Sequence, residues 1–181
     1  MKYLLAGEES ERLYFRKIKE SDFDTWLEYH VDTNSSKYWK GDFGTPEEEC
    51  KKWYERQLYR YEQNLGGLNA LINKDSGALV GHCGLLVQTV DDIKELEIGY
   101  GLMPQFRNKG YATEAARKCR DFAFKQDYAK HLISIISVTN APSERVARKN
   151  GMTISKTTLY SENEVNIFGI TKEHWKTIVM E

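Results

Sequence analysis

The chain has 181 residues, of which 40% are hydrophobic and 29% are charged, and 26 Lys+Arg against 27 Asp+Glu give a formal net charge of −1. This length is close to that of one domain, so we expect a single domain over residues 1–181. The balanced charge argues against a nucleic-acid partner, and no apolar run approaches the roughly 20 residues of a membrane helix, so we expect no membrane partner either.

The cysteines and the chain start predict a cytoplasmic protein. The apolar run in the opening segment, MKYLLAGEES, is too short for a secretory signal. The cysteines are odd in number and widely spaced, which is typical of reduced core thiols: Cys50, Cys83 and Cys119. The histidines have no metal-ligand spacing, so we expect no metal, and His82 and His131 lie in apolar runs that favour structural roles. A homodimer is left open.

The first part of the chain predicts one strand and two helices. RLYFRKI (12–18) alternates like a strand, and Ser21 is the expected N-cap of a helix over DFDTWLEYH. The segment TPEEE starts a second helix, with Thr45 as the cap, Pro46 in the first turn and Glu48 completing a capping box. NLGG (64–67) ends that helix.

Three strands follow with short turns between them. LNALIN (68–73) and ALVGHCGLLVQTV (78–90) are separated by KDSG, and DDIK (91–94) leads into ELEIGYGLM (95–103). Consecutive strands with such short connections predict an antiparallel meander.

The pattern then changes to a strand–helix–strand unit. Apolar residues recur at helical spacing through 112–124, and HLISIISV (131–138) is a β-branched strand, so the strands that flank the helix are expected to be parallel. A helix over APSERVARKN is capped by Asn140 and stopped by Gly151. MTISKTTLY and EVNIFGIT predict a final hairpin. The sum is an α+β fold: a mixed, mostly antiparallel sheet of six or seven strands flanked by helices, with one parallel βαβ unit.

The segment MPQFRNKGYATEAA (103–116) lies at the strand-to-helix turn of this unit. Helix N-termini present unpaired N–H groups that suit phosphate, and residues 107–120 contain five cations (Arg107, Lys109, Arg117, Lys118 and Arg120) against Glu114 alone. Neither GxxxxGK[ST] nor GxGxxG is present, which argues against the common nucleotide loops. Taken alone, the segment indicates an anion site only weakly, with a solvated basic turn as the alternative.

Neighbouring motifs identify the turn. R-N-K-G-Y-A (107–112) resembles the R/Q-x-x-G-x-G/A pyrophosphate loop of the GNAT N-acetyltransferases. EIGYGLMP, NAPSERVARKNGM, SGALVGHCGL and EVNIFGI resemble further motifs of the branch that contains the ribosomal-protein N-terminal acetyltransferases RimJ and RimL. The resemblance runs from about residue 12 to 170 in the family order. Two departures are Gly101 in place of a common Trp, which leaves the acceptor size open, and Met152 in place of Phe, a change expected to be neutral for packing.

The resemblance implies acetyl-CoA as the cosubstrate. Its pyrophosphate is expected on the backbone N–H groups of Asn108, Lys109, Gly110, Tyr111, Ala112 and Thr113, with the Arg107 and Lys109 side chains nearby. The pantetheine arm is expected beside the 95–103 strand, where Leu102 or Met103 would donate an N–H to the thioester carbonyl. Asn140 is expected both to cap its helix and to bind the pantetheine.

The resemblance also implies direct attack by an amine in a ternary complex. Glu97 is the first candidate for the general base, with a solvent-facing strand glutamate or one end of an ion pair as the alternatives, and Glu162 and Glu164 are the next candidates. Ser143 is the candidate partner for the departing thiolate, although a serine in the first turn of a helix is also common for local bonding. Cys119 lies on an apolar stripe, so a covalent acetyl-cysteine is not expected.

The acceptor remains open at this stage. The branch favours a protein N-terminal α-amine, and the alternatives are a polyamine, an aminoglycoside or another small amine. The helices at 21–31 and 45–63 are expected to form the acceptor side, with SSKYWKGDFG (35–44) as an irregular loop whose Asp42 could meet a cationic acceptor. A non-catalytic acyl-CoA-binding protein and a nucleic-acid-binding domain using Arg117–Arg120 are weaker alternatives.

Overall fold

A computed structural model describes residues 2–180. Seven strands form one sheet in the order β1-β2-β3-β4-β5-β7-β6. The strands are β1 (Leu13–Arg16), β2 (Gly66–Asn73), β3 (Leu79–Val90), β4 (Ile93–Leu102), β5 (His131–Ser137), β6 (Thr153–Tyr160) and β7 (Asn163–Thr171). The helices are α1 (Phe23–Val31), α2 (Thr33–Ser36), α3 (Pro46–Glu62), α4 (Tyr111–Lys125), α5 (Ala141–Lys149) and α6 (Lys172–Val179). The predicted mixed sheet with its meander and flanking helices is confirmed.

The parallel pair of strands is very short. β4 pairs antiparallel with β3 along most of its length, from Val90–Ile93 to Gly81–Leu102. With β5, in contrast, it forms the single parallel pair Glu97–Ile133. The Ser134 hydroxyl then donates to the Ile98 carbonyl at 2.8 Å, and beyond this point no further pairing joins the two strands within residues 2–180. The two strands therefore separate towards the carboxyl end of β4.

The two faces of β4 pack against different helices. Leu96, Ile98 and Leu102 belong to a core cluster that includes Ala115 and Cys119 of α4. Alternate residues face the other side. A Cβ on Gly99 would meet Leu86, and one on Gly101 would meet Tyr29 of α1. Glu97, which alternates with the buried Leu96 and Ile98, shares the face of these two glycines and so lies on the side of α1 and α3.

One predicted helix cap is wrong and another is confirmed. Ser21 lies inside a short 3₁₀ turn (Glu20–Asp22), and α1 begins at Phe23. Asp22 does not cap α1 with its side chain, because that carboxylate accepts two hydrogen bonds of 2.7 Å from Arg16. For α3, the Thr45 hydroxyl accepts from the Glu48 N–H and the Glu48 carboxylate accepts from the Thr45 N–H, as the capping box predicts.

The C-terminal helix α6 was not anticipated from the sequence. Thr171 caps it by accepting from the His174 N–H at 3.2 Å. Its Trp175 donates to Asp121 of α4 at 2.8 Å and packs on Phe124 with ring centroids 5.4 Å apart. The helix thus closes the core on the α4 side.

The cysteines and two of the histidines are structural, as predicted. All three cysteines are free and buried, with the sulfurs of Cys83 and Cys119 3.5 Å apart. His82 is fully buried, His131 faces Glu95 at 3.4 Å, and Met152 packs in the core. Among residues 2–180 no cluster of three or more His, Cys, Asp or Glu has the arrangement of a metal site. The helices described between residues 2 and 180 are all too short or too polar to cross a membrane.

Candidate active site

A cavity of about 780 Å³ opens where β4 and β5 separate. Its donor side is formed by the carboxyl ends of β4 and β5, the start of α4 and the first turns of α5. Its other side, which we call the acceptor wall, consists of Tyr29, Asn34, Ser35, Lys37, Tyr38, Trp39, Trp53, Arg56, Gln57 and Arg60. The predicted cofactor residues Leu102, Arg107, Asn108, Gly110, Ala112, Thr113, Asn140 and Ser143 all line the cavity.

The turn before α4 presents a run of unpaired backbone donors. Asn108 (φ 59°) and Gly110 (φ 84°) both adopt the left-handed conformation, which glycine tolerates without cost. Within residues 2–180 the N–H groups of residues 108 to 113 have no hydrogen-bond acceptor, and the first bond of the helix runs from the Glu114 N–H to the Gly110 carbonyl at 3.0 Å. Oriented amides at a helix start form an anion site, so the turn fits the pyrophosphate of acetyl-CoA.

Arg12 of the N-terminal segment holds this turn in place. Its Nη1 donates to the Lys109 carbonyl at 3.0 Å, and its Nε donates to Glu114 at 2.7 Å. Glu114 also accepts from the Ser10 hydroxyl and the Arg12 N–H, so its pKa is lowered by these hydrogen bonds although burial opposes them. The one acidic residue of the 107–120 segment is thus directed away from the anion site.

The cations of the 107–120 segment are mostly paired elsewhere. Lys118 pairs with Glu8 at 2.6 Å, and the buried Arg120 pairs with Asp121 at 2.7 Å. Lys109 and Tyr111 do not line the cavity: the Lys109 ammonium lies 5.7 Å from the centre of the Phe106 ring, and the Tyr111 hydroxyl accepts from Asn73 at 3.1 Å. The local excess of positive charge is therefore smaller than the sequence indicates, because Arg107, Lys118 and Arg120 are each paired with an acid.

Arg107 lines the cavity, but its guanidinium contacts protein groups. Nη1 donates to Asp32 at 2.6 Å, Nη2 to the Ser35 hydroxyl at 2.6 Å, and Nε to the Leu102 carbonyl at 3.2 Å. The hydrogen bond from Arg107 lowers the pKa of Asp32 against the opposing effect of burial. These contacts join the turn before α4, which we call the donor turn, to the corner between α1 and α2. No pattern in the sequence indicates this ion pair.

The two candidates for the thioester N–H donor differ. The Met103 N–H donates to the Val80 carbonyl at 2.9 Å, and its side chain is fully buried, so the expectation for Met103 is wrong. Successive N–H groups of a strand point to opposite sides. The Leu102 N–H accordingly points away from β3, towards the open side of β4, and Leu102 remains the candidate.

Glu97 faces the cavity at the centre of a polar network. Its Oε2 accepts from Gln88 Nε2 at 2.8 Å, and Gln88 Oε1 accepts from Arg60 Nη2 at 2.8 Å. Burial raises the pKa of Glu97, while hydrogen bonds from Gln88 and the Ile135 N–H and the positive charge of Arg60 act in the opposite direction. A carboxylate with a raised pKa that remains open to a cavity suits a general base.

The other candidate acids lie outside the cavity. Glu162 and Glu164 are exposed residues at and beside the β6–β7 turn, and neither lines the cavity. Asp42 is exposed as well and does not contribute to the wall. Glu97 is the only Asp or Glu among the lining residues that the structure describes. The alternative of a solvent-facing strand glutamate is not supported.

Ser143 sits at the start of α5 on the donor side. Its N–H donates to the Asn140 side chain at 3.1 Å, which confirms Asn140 as the helix cap. Its carbonyl accepts from the Tyr100 hydroxyl at 2.9 Å, whereas its own hydroxyl has no partner among residues 2–180. Tyr100 was not singled out from the sequence, although it lies within the EIGY motif, and it positions the first turn of α5.

Gly101 faces the acceptor wall as the resemblance implies. A Cβ at Gly101 would lie 3.3 Å from the Tyr29 hydroxyl, and the Tyr29 ring stacks on Trp26 at 4.2 Å. The Tyr29 ring therefore occupies space next to the position of the family's tryptophan. The predicted irregular loop is confirmed for residues 37–44, whereas Ser35 and Ser36 belong to α2. The loop is attached to β7 because Lys40 and Asn163 exchange two hydrogen bonds.

Comparison with known proteins agrees with this site. Residues 12–153 match the acetyltransferase (GNAT) domain family. The chain is 31% identical over 147 residues to the uncharacterized N-acetyltransferase YnaD of Bacillus subtilis, covering 79% of this chain and 80% of YnaD. It is 38% identical over 85 residues to YkkB, an uncharacterized protein of the same organism, and the match covers 47% of this chain and 49% of YkkB. The match thus spans about half the length of that relative.

A solved structure has the same fold. RimL, a ribosomal L7/L12 α-N-protein acetyltransferase in complex with coenzyme A, aligns with a TM-score of 0.71 over 91% of this chain and 97% of RimL, at 16% identity. At this identity the likeness shows the shared fold. The family match and the YnaD relative together show that the chain belongs to the GNAT acetyltransferases, which are acetyl-CoA-dependent N-acetyltransferases.

Proposed function

We propose that this chain transfers the acetyl group of acetyl-CoA to a primary amine by direct attack in a ternary complex, and that the amine is the α-amine of a peptide N-terminus. The observation that carries the proposal is that one cavity is lined by Asn108, Gly110, Ala112 and Thr113 of the turn with unpaired N–H groups, by Ser143 and by Glu97. The donor and acceptor sides of the cavity meet at β4, so the amine can attack the thioester directly and no covalent acetyl-enzyme is needed.

Each group has a distinct role in this proposal. Acetyl-CoA supplies the activated acyl group, and the amides of residues 108–113 bind its pyrophosphate. The Leu102 N–H polarises the thioester carbonyl. Glu97 takes the proton from the attacking amine, and the Ser143 hydroxyl donates a hydrogen bond to the departing sulfur. An α-amine with a pKa near 8 needs less help from such a base than an alkyl amine near 10.4.

The acceptor assignment is supported by the likeness to RimL and by the shape of the site. RimL acts on a protein α-amine, and the chain has its fold. The cavity of about 780 Å³ also includes the acceptor wall, so it has room for an acceptor beside the cofactor. A small-molecule amine is the second candidate, and a non-catalytic acyl-CoA-binding protein is the third. The third is disfavoured because a buried carboxylate such as Glu97 carries a desolvation cost that binding acetyl-CoA does not require.

An acceptor panel tests the proposal. Purified protein is mixed with acetyl-CoA and peptides with free N-termini, N-blocked lysine peptides, spermidine or an aminoglycoside, and both released CoA and acetylated product are measured. The proposal expects free N-termini to give the highest kcat/KM, and Glu97→Gln to lower turnover about 100-fold or more while retaining acetyl-CoA binding by calorimetry. Binding of acetyl-CoA without transfer to any amine would support the non-catalytic alternative.

Direct transfer has its own test. Cys50, Cys83 and Cys119 are all buried, and none lines the cavity. Burial raises the pKa of Cys119 well above its usual range, which opposes thiolate formation. Intact mass after incubation with acetyl-CoA and no acceptor should therefore be unchanged. A stable acetyl adduct on any cysteine would replace the ternary mechanism with a covalent one.

A further inference from the structure

The charges on the cavity surface are strongly one-sided. Glu97 is the only carboxylate among the described lining residues, whereas six cations line the cavity: Lys37, Arg56, Arg60, Arg107, Arg145 and Lys149. Arg145 and Lys149 belong to α5 on the donor side, and Arg107 is neutralised by Asp32. Lys37, Arg56 and Arg60 remain on the acceptor wall, so this wall carries a net positive charge even after Glu97 is counted.

The two arginines of the acceptor wall differ from most arginines of the protein. Arg12, Arg16, Arg107, Arg120 and Arg148 each form an ion pair. Within residues 2–180 neither Arg56 nor Arg60 has a carboxylate partner at salt-bridge distance. Arg60 is half-buried and donates only to neutral groups, the carbonyls of Leu65 and Val87 and the side chain of Gln88. Its positive charge is therefore not compensated by contact with an acid.

The positive charges of Arg56 and Arg60 also repel one another. They are separated by one turn of α3, and like charges at this spacing destabilise a helix. Burial lowers the pKa of Arg60 most, the negative charge of Glu97 acts in the opposite direction, and the positive charge of Arg56 adds a smaller lowering. Arg60 and Glu97 bind opposite ends of the same Gln88 side chain, each at 2.8 Å, so this arginine and the carboxylate lie close together. An arrangement that costs stability and faces a cavity fits a role in binding an anion.

Resting on the proposed acetyltransferase function, we propose that the acceptor is a primary amine that also carries a carboxylate or a comparable anionic group. The anion is held by Arg56 and Arg60 while the amine meets Glu97. Only the Gln88 side chain separates Arg60 from Glu97, so the two charges of the acceptor lie a few bonds apart. An α-amino acid and a peptide with an acidic residue next to its N-terminus both have this spacing.

The same charges disfavour polycationic acceptors. A polyamine or an aminoglycoside carries several positive charges and would meet three cations of the wall against one carboxylate. Asp42, the residue that could have met such an acceptor, lies outside the cavity. Like-charge juxtaposition in a partly desolvated site is an effective means of rejecting a wrong partner.

Matched acceptors test this inference. We would compare kcat/KM for Ala-Glu-Ala-amide, Ala-Gln-Ala-amide and Ala-Lys-Ala-amide, for free alanine against alaninamide, and for spermidine. A charge-assisted contact predicts at least a tenfold preference for Glu over Gln, with Lys below Gln and no measurable transfer to spermidine. The comparison of free alanine with alaninamide shows whether an α-carboxylate or an acidic side chain supplies the anion, and either source supports the inference.

Two variants and one control test whether Arg56 is responsible for the preference for acidic acceptors. Arg56 is exposed and makes no hydrogen bond within residues 2–180, so its replacement should leave the fold intact, which thermal unfolding checks. Arg56→Gln should reduce the Glu-over-Gln preference to about threefold or less, and Arg56→Glu should reverse the order of Glu and Lys peptides. Arg117→Gln is the matched control, since Arg117 is exposed and lies outside the cavity, and it should keep the wild-type preference.

The outcomes separate this inference from the function on which it rests. Equal kcat/KM for the Glu, Gln and Lys peptides, together with equal kcat/KM for free alanine and alaninamide, would overturn the inference and leave the acetyltransferase proposal standing. An unchanged preference in Arg56→Gln would overturn it as well. Failure of transfer to every amine, although acetyl-CoA binds, would overturn both.

Discussion

Arg107 and Asp32 form an ion pair of 2.6 Å between the donor turn and the acceptor wall. Asp32 also caps α2 by accepting from the Asn34 N–H, and the second Nη of Arg107 reaches the Ser35 hydroxyl at 2.6 Å. The guanidinium thus fixes both ends of the α1–α2 corner against the carboxyl end of β4. This geometry indicates that Arg107 orders the acceptor wall, a different role from the phosphate contact that the motif implies.

The first prediction follows from this ion pair. Asp32→Asn and Arg107→Gln should each raise the acceptor KM about tenfold, because a charge-assisted contact of about 1.5–3 kcal/mol is lost and the corner loosens. The Kd for acetyl-CoA should change less than threefold. The double variant should be no worse than the single ones, since both remove the same contact. A tenfold weaker Kd for acetyl-CoA in Arg107→Gln alone would instead indicate direct contact with the pyrophosphate.

The second prediction concerns the pH dependence of catalysis. Glu97 must be ionised to accept a proton, and burial raises its pKa. The kcat/KM for the acceptor should therefore fall on the acid side at a higher pH than an ordinary glutamate would give. Glu97→Gln should lower kcat about 100-fold or more and leave in kcat/KM only the acid limb that the acceptor amine itself gives. A limb in Glu97→Gln that stays at the same pH with acceptors of different amine pKa would show that another group is the base.

Substitution of Gln88 should shift the acid limb of the pH profile without altering the Glu97 carboxylate itself. Its hydrogen bond stabilises the ionised form of Glu97 and so lowers the pKa against the effect of burial. Gln88→Leu should raise the pKa of Glu97 further and move the acid limb of kcat/KM to higher pH. The control is Gln88→Glu at high pH, where a second carboxylate also disfavours ionisation of Glu97. An acid limb at the same pH in Gln88→Leu and the wild type would contradict this network.

The third prediction links Glu97 to stability. Because its folded-state pKa is raised, its contribution to stability is complete below the unfolded pKa and is lost as the pH rises through the folded pKa. Glu97→Gln does not ionise and avoids this loss. The variant should therefore unfold at a higher temperature than the wild type at pH 8, and the difference should shrink as the pH approaches 4. A difference in Tm that is constant over this range would mean that burial of the charge has no net cost.

The sequence predicts the framework of the fold because its signals are local. The capping box at Thr45 and the Asn140 cap of α5 are both set by residues adjacent in the chain, and both are confirmed. The predicted Ser21 cap is wrong because an ion pair changed the local preference. Asp22 pairs with Arg16, six residues earlier in the chain, and this contact shapes the start of α1. α6 was missed because its stability comes from Trp175 packing on α4, which no local pattern reveals.

The site likewise contains residues that local sequence patterns predict and residues that they do not. Glu97, Ser143 and the 108–113 amides lie in motifs with fixed spacing, so their places in the cavity could be predicted. Gln88 and Arg60 have only weak sequence signals. Gln88 is a polar residue near the end of an apolar strand, and Arg60 is one of a basic pair on α3. Strand register decides what these side chains contact, and the sequence pattern does not reveal it. The Arg107–Asp32 pair joins residues 75 positions apart, and no pattern in the chain connects them.

The fourth prediction tests the donor side. The Ser143 hydroxyl has no partner in residues 2–180, so Ser143→Ala should leave the fold and the acetyl-CoA Kd nearly unchanged while lowering kcat about tenfold. Tyr100→Phe removes the hydrogen bond to the Ser143 carbonyl and should lower kcat by a smaller factor through misplacement of α5. Pre-steady-state measurement of CoA release separates the chemical step from product release. Equal kinetics for Ser143→Ala and the wild type would remove Ser143 from the mechanism.

The fifth prediction concerns the space between Gly101 and Tyr29. A Cβ at Gly101 would lie 3.3 Å from the Tyr29 hydroxyl, so Gly101→Trp must displace that ring from its stack on Trp26. Overpacking of this kind costs about 1–3 kcal/mol, and the acceptor KM should rise because the wall moves. Tyr29→Ala makes room for the new indole, so the Tyr29→Ala/Gly101→Trp double variant should be more stable than Gly101→Trp alone. Thermal unfolding of the four proteins in this cycle measures the coupling. Additive effects of the two changes would show that the Tyr29 ring does not occupy the space next to Gly101.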